Sequence, residues 1–156
     1  MLSAVAPRFA CESVDDVLGS ISGTLMRAHF EEVGHYQDLL IDPDFDRYRQ
    51  IERDGKLRIH TVRMGYDLVG YGIYIVATNI HYRTVLYGQQ ATLYMSPWVR
   101  KGWTGLRFLR WSEERLREDG CVVVSQHVKS RHDFGAVLVR LGYELQDSIY
   151  TKRLDR

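Results

Sequence analysis

Apolar residues recur along the chain in two periods, and the points where the period changes divide it into elements. Val14, Val17, Leu18, Ile21, Leu25 and Ala28 follow helical spacing behind Ser13, with Asp16 in a capping-box-like position, which predicts a first helix. Gly19 and Gly23 fall inside it, either weakening the helix or permitting close packing. Before it, Val5 to Cys11, broken by Pro7, suits a strand near a sheet edge. Asp42-Pro43-Asp44 starts a second helix with Phe45, Tyr48 and Ile51 on one side, and Gly55 ends it. Leu57 to Met64 alternates as a strand. Gly65-Tyr66-Asp67 then turns the chain into Leu68 to Thr78, apolar enough for a central strand covered on both faces. Gly70 and Gly72 would leave room on one face of it for a helix or a ligand. Asn79 to Arg83 reads as a polar, aromatic loop, and Gln90 to Met95 as the next strand.

The pattern then condenses. Tyr94-Met95-Ser96-Pro97-Trp98-Val99-Arg100-Lys101-Gly102-Trp103-Thr104-Gly105 is a strand end and a basic, glycine-containing turn, followed by an amphipathic helix from Leu106 to Asp119 and Gly120. Cys121 to Val124 is a short β-branched run, expected as a buried strand ending at Gln126 and His127. Asp133 to Leu141 predicts a short helix, with Phe134, Val137, Leu138 and Leu141 as its apolar face. Two strands, Tyr143 to Leu145 and Ile149 to Leu154, complete the expected chain. With no repeat or linker, residues 1–156 read as one α+β domain.

Composition changes this picture little. An apolar content of 45% and a charged content of 26% suit a globular protein, and a formal charge of +1 argues against a general nucleic-acid binder. No apolar run is long enough for a membrane helix, and Met1 to Pro7 lacks the pattern of a signal peptide. Cys11 and Cys121 make neither a disulfide framework nor a zinc pattern, so a reducing cytoplasm is the expected setting.

Charge placement singles out the long helix. Arg100, Lys101, Arg107 and Arg110 crowd its N-terminal end, and Glu113, Glu114, Glu118 and Asp119 its C-terminal half. That order opposes the helix dipole, at roughly 0.3–1 kcal/mol per exposed charge. A polyanion bound at the N-terminus reverses the local sign, and backbone amides of a basic, glycine-containing turn suit a phosphate. The bland reading is a solvated face with pairs Arg110–Glu114 and Glu113–Arg117. Other phosphate and catalytic motifs are absent. There is no G-x-x-x-x-G-K-[ST]; Gly70-Tyr71-Gly72 lies inside a strand; Gly19-Ser20-Ile21-Ser22-Gly23 has isoleucine where an elbow needs its nucleophile. No H-E-x-x-H exists, and no metal is expected. His29 to Tyr36 is dense in proton-exchanging groups; kept helical, it puts His29, Glu32 and Tyr36 on one face.

Strand, proline, basic loop, glycine and long helix, then a short strand, a short helix and Leu141-Gly142-Tyr143, resemble the GNAT superfamily of acyl-CoA-dependent N-acetyltransferases. Pro97 precedes Arg100-Lys101-Gly102-Trp103-Thr104-Gly105, which keeps Arg100 and Gly105 of the family loop Q/R-x-x-G-x-G/A. Glu31-Glu32, His81-Tyr82-Arg83 and Gln126-His127 are similar to small GNAT-type proteins of bacteriophages. The resemblance implies a mixed, mostly antiparallel sheet of six or seven strands with about four helices, splayed at two central strands near Tyr94 and Gln126.

It further implies acetyl-CoA as donor, a primary amine of a protein or small molecule as acceptor, and direct attack on the thioester. Tyr94 and Met95 would bind the pantetheine arm through their backbone, and the amides of Arg100, Lys101, Gly102, Trp103, Thr104 and Gly105 the pyrophosphate. Arg100, Lys101 or Arg107 would lie near the adenosine phosphates. Glu32, His29 and His127 are the acid–base candidates, with Tyr94 and Tyr143 as thiolate donors; each also has a bland role, as surface carboxylate or core packing. His81 and Tyr82 are weaker candidates for the acceptor side. Trp103 stands at the loop's central glycine position, Leu138 where many members carry the thiolate-protonating tyrosine, and Arg131 where many carry an asparagine. Those departures raise a second reading, a GNAT-like fold kept as a protein-binding modulator. Neither nucleic acid nor membrane is expected as a partner, and a homodimer stays open.

Overall fold

The computed structural model describes residues 5–155, with every side chain in that span except that of Ser22. Among the described residues, five strands form one sheet in the order β1-β2-β3-β4-β5. They are β1 (Arg8–Glu12), β2 (Leu57–Met64), β3 (Asp67–Asn79), β4 (Tyr82–Met95) and β5 (Val123–Ser125). The first four pair antiparallel, and β5 runs parallel to β4. The helices are α1 (Val14–Ser20), α2 (Met26–Val33), α3 (Phe45–Arg53), α4 (Thr104–Glu118) and α5 (Gly135–Arg140), with a π turn over Ile21–Leu25 joining α1 to α2.

Local chemistry explains the starts and stops. Ser13 and Asp16 close a reciprocal capping box on α1, and Glu52 of α3 accepts a further first-turn amide, that of Val14, at 2.9 Å. Gly23, at ψ −136°, is the non-helical residue inside the π turn, so the expected first helix is broken where its glycine stands. The β2–β3 hairpin turns at Gly65, whose φ of +62° is costly for any residue with a Cβ.

Two apolar layers sandwich the sheet. On one face Val14, Val17 and Ile21 pack against Leu57, Ile59, Tyr71, Ile73 and Tyr94, with Tyr48 and Ile51 of α3 alongside. On the other, Phe108 of α4 joins Val62, Val69, Met95 and Val99, while Leu116 joins Tyr74, Val76 and Cys121. A Cβ on Gly88 would stand 3.1 Å from Leu116 Cδ2, so the glycine lets α4 lie close on β4.

Several expectations are corrected. The sheet is mixed and mostly antiparallel as expected, with about the expected number of helices, but among the described residues it has five strands, so the count of six or seven is not borne out. Residues 79–83 are not a loop: β3 and β4 pair as far as Asn79↔Tyr82, leaving a two-residue connection. β5 is an edge strand, not a central one, and Val122 before it is exposed. Residues 143–155 form no ladder, and Leu145, Ile149, Tyr150 and Leu154 are exposed. Gly70 and Gly72 leave no room for a ligand, because Met95 and the Tyr74 ring occupy those spaces within 3.2 Å of a notional Cβ.

Candidate functional site

The site forms where β4 and β5 part. Their ladder ends at Gln89↔Ser125, although β4 continues to Met95. Across the next step of β3, Ile73 faces Thr92 and Tyr74 faces Gln90, so Ala91 is an inserted residue that bends β4 at this point. The buried Gln90 side chain takes over from the ladder: its Oε1 accepts the His127 amide at 2.9 Å. Gln126 donates at the longer distances of 3.3 and 3.4 Å to the Tyr74 and Tyr143 hydroxyls.

Into this opening faces a cavity of about 880 Å³, lined by α2, the second half of β4, the turn before α4, the first two turns of α4 and residues between 127 and 140. Its cations are Arg100, Arg110, Lys129, Arg131 and Arg140, against the acids Glu32 and Asp133. A net positive concave wall concentrates anions. At its edge Gly102 has φ +75°, and Trp103 stands at the start of α4 with no side-chain capping bond. Arg107 N–H bonds to Trp103 at 2.9 Å, and the first-turn amides before it are the donors that a helix start leaves without the regular intrahelical acceptor. Donors of this kind at a helix start, beside Arg100, suit a phosphate. The pairs expected on the bland reading do not form among the described residues. Arg115 pairs instead with Glu118 at 2.7 Å, and Asp119 with Arg58 at 2.8 Å.

The opposite wall carries the ionisable groups. Glu32 of α2 meets Arg100 at 2.5 Å and lies 3.7 Å from His132. One helical turn earlier, His29 Nδ1 is 2.6 Å from the Tyr71 hydroxyl, and the imidazole stacks on Tyr94 with centroids 4.7 Å apart. Burial pulls His29 down from 6.5 to about 4, against the opposing pull of Glu32, so the ring is neutral near pH 7. Burial, and then the Glu32 charge, push the Tyr94 phenol up, which keeps it a proton donor. Tyr143 is pushed up as well, first by burial.

The sequence candidates divide on this geometry. Glu32, His29, Tyr94, Met95, Arg100, Gly102, Trp103, Gly105, His127 and Arg131 line the cavity. Lys101, Thr104, Arg107 and Tyr143 do not; Arg107 lies 6.0 Å over the Phe9 ring. Tyr36 leaves the expected shared face, because α2 ends at Val33 and the Tyr36 hydroxyl bonds to Thr151 at 2.8 Å. His81 and Tyr82 sit at the far end of β4, and Leu138 is buried outside the cavity lining. Gln90, the Ala91 insertion and the Tyr71–His29 contact had no sequence signal. The run Lys129, Arg131, His132 and Arg140 did have one, a basic cluster after the last strand.

No protein-family model and no curated protein matches the chain. Solved structures do match in three dimensions. An aminoglycoside acetyltransferase from an uncultured soil metagenomic sample superposes with TM-score 0.72 at 14% identity, over 95% of this chain and 96% of that one. A ribosomal-protein-alanine N-acetyltransferase from Brucella melitensis biovar Abortus 2308 gives 0.69 at 15%, over 96% and 99%. A predicted acetyltransferase from Clostridium acetobutylicum, solved with acetyl-CoA, gives 0.67 at 12%, over 96% and 97%. Nothing in these likenesses indicates a bacteriophage origin. The chain therefore has the GNAT fold of these acetyltransferases.

Proposed function

We propose that the chain is an N-acetyltransferase that moves an acetyl group from acetyl-CoA to a primary amine of a protein or small molecule. The observation that carries this reading is the glycine turn and bare start of α4, with Gly102, Trp103 and Gly105 on the rim of a cationic cavity that opens where β4 and β5 part. A donor with several phosphates and a long, narrow arm fits that combination: the phosphates meet the amides, Arg100 and Arg110, and the arm meets the β4 edge that β5 has left. The fold shared with a structure holding acetyl-CoA supports the same donor.

The donor supplies a thioester carbon for the amine nitrogen to attack. The chain's own part is positioning and proton handling. The free β4 edge past Gln89 orients the arm through backbone bonds. Glu32 and His127, both on the cavity wall, are placed to accept the proton the amine loses, Glu32 once Arg100 turns to a phosphate. His29, held by Tyr71 and stacked on Tyr94, fixes the Tyr94 ring, whose phenol supplies a proton to the departing sulfur. A second reading, a binder without turnover, draws on the burial of Leu138 away from the cavity. Acetyl-CoA consumption with an amine panel separates the two: release of free CoA above the hydrolysis background supports transfer, and binding without release supports the second reading.

A further inference from the structure

A second space lies on the opposite face of the sheet from α4. It measures about 140 Å³ and is walled by α1, the π turn, α3 and the central strands, with Val17, Ile21, Phe45, Tyr48, Ile59 and Ile73 among its lining. Its lining includes no charged side chain, and its polar groups are the hydroxyls of Tyr48, Tyr71 and Thr92. Its volume is close to the about 150 Å³ of an apolar cavity that holds benzene.

Its position ties it to the cavity described above. Thr92 lines both spaces, one residue beyond the Ala91 insertion. Tyr71 lines the apolar space and meets His29, which lines the large cavity, at 2.6 Å. The basic rim and α4, which would hold the donor's phosphates, cover the other face of the sheet. A group that reaches the apolar space therefore comes from the molecule opposite the donor.

We propose that this space seats a compact hydrocarbon group of the acceptor, of phenyl or branched-alkyl size, so that the acceptor is an amine carrying such a group near its nitrogen. The proposal rests on the acetyl-transfer reading. A small, uncharged pocket beside a neutral histidine selects against diamines and polyamines, whose second ammonium would lose its water there without a counter-charge. A missing or extra methylene in such a pocket changes affinity by about 10–200-fold.

The test uses the full chain and titrations followed by calorimetry with acetyl-CoA, hexanoyl-CoA, 2-phenylethylamine and 1,4-diaminobutane. Expected are saturable binding of acetyl-CoA, and binding of 2-phenylethylamine at least about tenfold tighter than the diamine. In I73F, which fills the space, 2-phenylethylamine is expected to weaken at least about tenfold while acetyl-CoA is retained. Should I73F not fold, Y48L enlarges the half-buried side of the space, and preference is expected to move to 2-(1-naphthyl)ethylamine. Equal binding of the two amines, or 2-phenylethylamine binding unchanged in the variants, overturns the proposal. Tighter binding of hexanoyl-CoA than acetyl-CoA, lost in I73F, overturns it too, because the space then belongs to the donor's acyl chain. Loss of acetyl-CoA binding alone, with the amine preference intact, sinks the transfer reading and leaves an apolar amine site.

Discussion

Glu32 and Arg100 hold each other at 2.5 Å, so each limits what the other can do. Arg100 cannot turn all its donors to a phosphate while Glu32 holds one, and the Glu32 oxygen that accepts from Arg100 is not open to an incoming amine. Opposite responses follow on the proposed function. E32Q should leave acetyl-CoA affinity equal or tighter while lowering kcat by about 10²-fold or more. R100A should raise the acetyl-CoA Kd at least about tenfold. Paired calorimetry and steady-state kinetics read both; a looser donor in E32Q would mean that the carboxylate helps to hold it.

His60 gives a prediction independent of function. It is fully buried beside Tyr74 and Trp111, neither ring nitrogen has a partner among the described residues, and burial pulls it down to about 4. Its folded pKa lies below the unfolded 6.5, so the unfolded chain binds the proton first as pH falls. Stability is then complete above pH 6.5 and is lost progressively towards pH 4, by about 2 kcal/mol at pH 5. His29, held at about 4, acts in the same direction. H60F should flatten the fall in melting temperature between pH 7 and 5, because an apolar ring of similar shape suits a site without hydrogen bonds. An unchanged slope would locate the acid sensitivity elsewhere.

Among the elements, those that depend on neighbours a few residues away were legible in the sequence. The Ser13–Asp16 box, the Asp44 cap of α3 and the glycine turn at Gly65 all form as their residues dictate. What escaped depends on pairing across long sequence separations. Tyr82 to Gln89 are strand because β3, and at 87–89 also β5, bond to them, and no local pattern announces that. Residues 143–154 carry a strand-like pattern but have no ladder partner among the described residues. Gln90 is ordinary in sequence and gains its role only because β5 departs beside it. Close packing of α4 on β4 at Gly88 makes a further prediction. G88A forces a methyl against Leu116 and should destabilise by about 1–3 kcal/mol in urea unfolding, with an unchanged m-value. A neutral result would show that α4 can shift outward without cost.

Considered whole, the molecule sets a cationic, amide-rich rim on the α4 face against an apolar space on the other, with the parting of β4 and β5 between them. The exposed part of the rim attraction is screened by salt, so acetyl-CoA affinity should fall as ionic strength rises from about 0.1 to about 1 M, over which the Debye length shortens from about 10 to about 3 Å. The most direct measurement of the central claim is a calorimetric titration of the chain with acetyl-CoA, repeated with R100A. The account predicts one saturable site whose affinity falls at least about tenfold in the variant; no heat of binding at millimolar acetyl-CoA, or equal binding by both proteins, would contradict it.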